Sequence, residues 1–130
     1  MERIKDHPAR YILELNDRPW NAIKAGTKKV EARTPTEFNP TSYGEMQPKD
    51  EILFINAVSS KELLTEVTFV HHYRTVKELL EVEGTENVMS SSPKKVENGV
   101  KNISALTGYE EGIKKNGIYA IGLRIIQSSA

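Results

Sequence analysis

The sequence predicts an α+β fold: a small β-barrel of about five strands with short helices packed around it. Two patterns carry that expectation. Apolar residues recur with period two, or run almost unbroken, in five stretches of strand length. Between them lie segments with apolar residues three and four apart, each closed by a glycine. Strands dominate the middle and end of the chain, which favours helices laid on a curled sheet over a helical bundle.

The elements follow in order. Residues 1–9 are polar, carry Pro8, and read as a lead-in to one domain over residues 10–126. Tyr11, Leu13 and Leu15 alternate with Ile12 and Glu14 as a first strand. Trp20 and Ile23 are three apart and share a helix face. Asp17 is placed to cap that helix, Pro19 suits its first turn and Gly26 ends it. Val30 and Ala32 then alternate with Lys29, Glu31 and Arg33, a strand with one apolar and one charged face.

Residues 34–49 form a long loop, TPTEFNPTSYGEMQPK, whose Phe38 and Tyr43 either pin it to the body or stack on a ligand. Pro48 and Lys49 sit at the centre of a turn into a nearly continuous apolar strand, Glu51 to Ala57. Leu63 to His72 is its partner, with Val67 and Phe69 expected on one face and Leu64, Glu66, Thr68 and Val70 on the other. Thr75-Val76-Lys77-Glu78 is a capping box for a helix that buries Val76, Leu79 and Leu80 and stops at Gly84. One helical turn is expected around Val88, and Ser92-Pro93 reads as the next helix start, with Val96, Val100 and Ile103 on its apolar face. Gly99 inside that helix suits a close approach of backbone or ligand. A short helix from Tyr109 to Lys115, the turn Asn116-Gly117, a last strand from Ile118 to Ile126 and a tail over residues 127–130 complete the chain.

Composition excludes several functions. Of 130 residues, 38% are hydrophobic and 28% charged, with Lys plus Arg equal to Asp plus Glu at 18 each. There is no global positive field to draw in nucleic acid, so any such binding must be local. With no cysteine, thiol catalysis, disulfides and Cys-based zinc sites are out. MERIKDHPAR has no apolar run of signal-peptide type, and no stretch reaches membrane-span length, so the cytoplasm is the expected setting.

Lys28, Glu31 and Arg33 are the leading site candidates. Arg33 offers a planar fork for a phosphate or base edge, Lys28 a point charge, and Glu31 a partner for either cation. The competing reading is a solvated strand face with an ion pair worth little. Trp20 is either core or a stacking wall. His71 and His72 are adjacent on a strand and point to opposite faces, so they cannot readily share a metal, and no metal or cofactor is expected. His72 and Tyr109 are kept as ligand contacts. Ser90 to Ser92 can cap a helix that attracts phosphate.

The run Gly26-x-Lys28-x-x-Glu31-x-Arg33, following Trp20 and Ile23, resembles the signature of the ASCH (activating-signal-cointegrator homology) family of the PUA-like superfamily. PKDEILFI (Pro48 to Ile55), VHHY (Val70 to Tyr73) and GYEEGIKKNGIYAIGL (Gly108 to Leu123) extend the resemblance over about Tyr11 to Ile126. It implies a PUA-like barrel and an RNA- or nucleotide-binding protein with a cationic cleft lined by Trp20, Lys28, Glu31, Arg33, His72 and Tyr109. Its partner would be RNA or a nucleoside or nucleotide. Some small members are amidohydrolases acting on acetylcytidine, and ribonuclease activity is also proposed in the family. For an enzyme the resemblance implies Lys28 and Glu31 as catalytic residues, with Glu97 a possible third. Two departures stand out: Glu31 replaces the threonine of the amidohydrolases, and Lys49 stands where the family usually has glycine.

Overall fold

The computed structural model describes residues 8–128 of the chain. The lead-in expected over residues 1–9 therefore falls mostly outside the described residues. The elements are β1 (Arg10–Leu15), α1 (Asp17–Ala25), β2 (Val30–Arg33), a 3-10 turn (Tyr43–Glu45), β3 (Glu51–Asn56) and β4 (Glu62–Tyr73). They continue with α2 (Val76–Glu83), α3 (Thr85–Val88), α4 (Val96–Ser104), α5 (Tyr109–Asn116) and β5 (Ile118–Ser128). The last strand thus takes in residues 127 and 128, which the sequence pattern had left to a tail. No helix among the described residues is long and apolar enough to cross a membrane.

The five strands form one sheet in the order β1-β3-β4-β5-β2. β1 and β3 are parallel and every other pair is antiparallel. The sheet curls into a half-barrel with helices around it, the α+β fold expected from the pattern. Its edge strands, β1 and β2, do not pair with each other, so the barrel keeps an open seam.

Each face of the sheet carries a core. On one, Leu13, Leu15, Ile52, Phe54, Leu63, Val67 and Ile121 pack with Trp20 and Ile23 of α1 and with Tyr43 and Met46 of the long loop. On the other, Val30, Ala32, Ile118 and Ala120 pack with Val76, Leu79 and Leu80 of α2 and with Val88 and Met89. Burying a large apolar side chain contributes about 1.5–3 kcal/mol, so these two clusters dominate the stability of the sheet. Tyr43 is core, at 1% exposure, while Phe38 stands out at 66%.

Several local expectations are corrected. Asn16, not Asp17, is the N-cap of α1, and its side chain makes no capping bond. Asp17 is the first helical residue, and its carboxylate accepts from Asn56 Nδ2 at 3.0 Å. Asp17 therefore ties the helix to β3 through a buried amide. α4 begins at Val96 behind its N-cap Lys95, and not at Ser92-Pro93. Thr75 does cap α2, accepting from the Glu78 N–H at 3.2 Å, a contact worth about 1 kcal/mol. Glu78 reaches back to the N–H of Arg74, not of Thr75.

In β4 the alternation slips. Val67 faces Leu123 and Phe69 faces Gly122, so Thr68 is an extra residue in a bulge. Val67 and Val70 then share the first core, and Phe69 and Tyr73 the second. The grouping of Val67 with Phe69 fails for that reason. The bulge lays the Phe69 ring over Gly122, where a Cβ would lie 2.2 Å from the ring.

Lys49 keeps the turn that glycine would make. Its φ is 79°, and the Asp50 N–H donates to the Gln47 carbonyl at 3.0 Å across it. This is a turn with proline first and a left-handed second residue. Strain stays in the lysine backbone, since a side chain disfavours that region. Lys49→Gly is expected to raise the unfolding free energy by about 0.5–1 kcal/mol, measured by urea denaturation. Gly122→Ala is expected to lower it by about 1–3 kcal/mol, because the ring of Phe69 must leave its seat.

Candidate functional site

The turn after α1 sends Lys28 inward. Gly26 closes the helix with φ 82°, and the N–H groups of Thr27 and Lys28 both donate to the Ala22 carbonyl. The Lys28 side chain is 6% exposed. Its ammonium donates to the carbonyl of Val30 at 2.9 Å and to that of Val88 at 2.5 Å. It also meets Glu31 Oε1 at 3.1 Å. An ammonium has three N–H donors and no acceptor, so this one is fully occupied by the protein.

Glu31 carries the chain of charge onward. Its second oxygen, Oε2, accepts from Arg33 Nε at 2.8 Å. Arg33 Nη2 then donates to the Glu14 carbonyl of β1 at 2.9 Å, across the open seam. These two bonds use two of the five N–H groups of a guanidinium. Of the charged face expected from the sequence, Glu31 and Arg33 are not solvated, at 5% exposure and 11% for the side chain, while Lys29, just before β2, is exposed.

Burial and pairing compete at each group. Burial pushes the Glu31 carboxyl up, but Lys28 and Arg33 outweigh it and hold it below its ordinary 4.5. For Arg33, burial disfavours the cation, but Glu31 wins and the guanidinium is held above its ordinary value. Tyr109 is raised, first by burial, with Glu31 adding to the shift and Arg33 opposing it. Its phenol therefore remains protonated at neutral pH.

These residues line a cavity of about 670 Å³ beside the seam. Lys28, Glu31, Ala32 and Arg33 form one side and Glu14 to Pro19 another. Val88 to Ser91, Gly99, Asn102, Ile103, Leu106, Thr107 and Tyr109 complete it. Its charged members are Arg18, Lys28 and Arg33 against Glu14, Asp17 and Glu31, three of each sign. The cationic cleft expected from the sequence is thus balanced in charge. Gly99 lets α4 approach α2, since a Cβ there would lie 2.5 Å from Leu80 Cδ1.

The structure brings Lys28, Glu31, Arg33 and Tyr109 together and leaves two candidates out. Trp20 is core at 1% exposure, its indole N–H donating to the Phe54 carbonyl at 3.2 Å. His72 stacks on Tyr119 with centroids 4.4 Å apart, and its Nε2 lies 2.6 Å from the Asn116 carbonyl. Neither lines the cavity. Among the described residues Tyr109 is its one aromatic. His71 points to the opposite face, as expected, and meets Glu83 at 2.7 Å. Tyr73 donates to that same carboxylate oxygen, and burial and Glu83 push its hydroxyl up to about 12.

Ser90 and Ser91 reach the rim but cap no helix, because α4 starts later. Glu97 is exposed and away from the cavity. No cluster of three metal-ligating side chains occurs among the described residues. The sequence reading missed Glu14, Asn16, Arg18, Asn102 and the carbonyl of Val88. The polar run Asn16-Asp17-Arg18 ahead of an apolar helix was a readable signal for part of that rim. A backbone acceptor has no sequence signal.

The crystal structure of hypothetical protein PH0355 is similar to this chain at 33% identity, with a TM-score of 0.75. The match covers 90% of this chain and 99% of that one. The chain belongs to the PH0355 family. Protein PF0455 from Pyrococcus furiosus, solved by solution NMR, is similar at 28% identity and TM-score 0.67, over 91% of this chain and 98% of that one. Neither name states an activity. No family model and no curated protein matches the chain.

Removing Lys28 leaves Glu31 with a single cation and two carbonyls without a donor. Lys28→Met is expected to cost about 3–5 kcal/mol in chemical denaturation. The Glu31 contribution has a defined pH window. A carboxylate held below its unfolded value stabilises the fold fully above that value, about 4.5, and loses this as pH falls through the folded value. Stability should therefore drop below pH 4.5. Glu31→Gln, read by thermal melts across pH, should flatten that drop.

Proposed function

We propose that the cavity binds a nucleobase, presented by single-stranded RNA or by a free nucleoside or nucleotide. We also assign the chain to the ASCH branch of the PUA-like proteins, with the cytoplasm as its setting. The run Gly26-x-Lys28-x-x-Glu31-x-Arg33 supports the assignment, because three of its residues line one hollow. The volume suits a ligand of nucleoside size. Tyr109 supplies an aromatic surface, and Asn16, Ser91, Asn102 and Thr107 supply polar contacts at the rim.

The observation that carries this reading is Arg33. Its guanidinium is fixed from two sides, by Glu31 and by the Glu14 carbonyl, and it lines the cavity with N–H groups to spare. A planar donor held this way suits the edge of a heterocycle, and preorganisation lowers the entropy lost on binding. The amidohydrolase alternative asks Lys28 to reach a substrate. That ammonium already meets three acceptors within the protein, which favours a binding role.

Isothermal titration with the ribonucleosides, their monophosphates and short single-stranded RNAs tests the proposal. Saturable binding is expected for at least one of them. Arg33→Ala should weaken it by about 1.5–3 kcal/mol, roughly ten- to hundredfold in Kd, and Arg33→Lys should not restore it. Lack of saturable binding by every ligand at low salt would overturn the reading.

A further inference from the structure

β2 is an edge strand, paired with β5 and with no other. In an antiparallel pair, residues alternate between those that turn N–H and C=O toward the partner and those that turn them away. The phase is set here by the bond from the Leu123 N–H to the Lys29 carbonyl, which brackets the facing pair Val30 and Gly122. Glu31 and Arg33 therefore direct their main chain at β5. Val30 and Ala32 direct theirs at the open edge. The Val30 carbonyl agrees with this, since it accepts from Lys28 Nζ at 2.9 Å. Ala32 has no such substitute: no strand pairs with it on that edge, and among the described residues no bond from a turn, a loop or a side chain reaches its N–H or carbonyl.

The cavity wraps the same edge. Glu31 and Arg33 project from one face of β2, and Ala32 packs in the core on the other. All three line the cavity. A hollow bordered by both faces of a strand opens at the strand's edge, where the polar groups of Ala32 emerge. Across the seam the Glu14 carbonyl is already taken by Arg33. A buried N–H and C=O without partners are costly, and a ligand that pairs with both removes that cost.

Charge narrows the ligand. The lining balances three cations with three carboxylates, and Lys28 is sequestered, so no surplus positive charge awaits a phosphate.

We propose that the main chain of Ala32 is the reading edge of this site. Its N–H and carbonyl pair with an uncharged heterocycle that carries an acceptor next to an N–H donor, as the pairing edge of a nucleobase does. The base occupies the seam as a missing strand would, and any phosphate stays outside. This rests on the base-binding reading above and names the part of the ligand that is recognised.

Amide hydrogen exchange by NMR on the full chain, free and with each of the four ribonucleosides, tests it. In the free protein Ala32 should exchange far faster than Glu31 and Arg33, and a bound nucleoside should slow Ala32 by roughly tenfold or more. The tightest nucleoside should weaken by roughly tenfold or more when methylated on the ring nitrogen or amino group of its pairing edge. Its 5′-monophosphate should bind no tighter. A nucleoside that binds saturably without protecting Ala32, or without a penalty for methylation, overturns the role of Ala32 and leaves base binding standing. A monophosphate that binds roughly tenfold tighter than the nucleoside overturns the uncharged ligand. If none of the four nucleosides binds, this inference falls, and binding of the monophosphates or RNAs decides whether the broader reading survives.

Discussion

The buried relay from Lys28 through Glu31 to Arg33 is the interaction on which the rest depends. It begins at two carbonyls, Val30 of β2 and Val88 at the end of α3, and finishes at the Glu14 carbonyl of β1. It therefore joins the helix layer to one edge of the sheet and that edge to the other. Charges are costly to bury unless every partner is in place. Here both oxygens of Glu31 and all three protons of Lys28 have partners. The directions of the shifts agree: pairing outweighs burial at Glu31 and at Arg33.

That relay also explains where the hollow is. A fully closed barrel would pair β1 with β2 and leave no polar edge. In this chain β2 has four residues, and the Lys28 ammonium, tied to the end of α3, takes up the Val30 carbonyl on its free edge. The Lys29 N–H donates to the Asn87 carbonyl at 2.8 Å, and Lys28 reaches Val88 beside it. Beyond that point the Arg33 side chain crosses to β1. That guanidinium bridges the seam, and the cavity lies beside it. Stability and the wall of the cavity thus draw on the same three side chains. Lys28 acts on the site by positioning Glu31, and Glu31 by positioning Arg33.

Much of the fold was readable from the chain because its signals are local. Gly26 and Gly84 ended their helices where the pattern put them, and Thr75 capped its helix. The strand periods located all five strands within a few residues. The failures also have local causes. A bulge at Thr68 is invisible to a strict period of two, because one extra residue leaves the composition unchanged. Ser92-Pro93 carried a helix-start pattern, but the helix begins at Val96 behind Lys95. Of the site residues, Lys28, Glu31, Arg33 and Tyr109 converge, while Trp20 and His72 are held by the Phe54 carbonyl and by Tyr119.

By itself the sequence determined the α+β class, the order of the elements and the grouping of Lys28, Glu31 and Arg33 on one turn and strand. Those follow from periodicity, capping and spacing along the chain. Only the tertiary structure decided that the three charges are buried, that they cancel those around them, and that a main-chain edge lies open beside them. Burial and charge balance depend on residues distant in sequence, here Glu14, Val88 and Tyr109. Which strand edge stays unpaired depends on the sheet order, and no window of the sequence contains that.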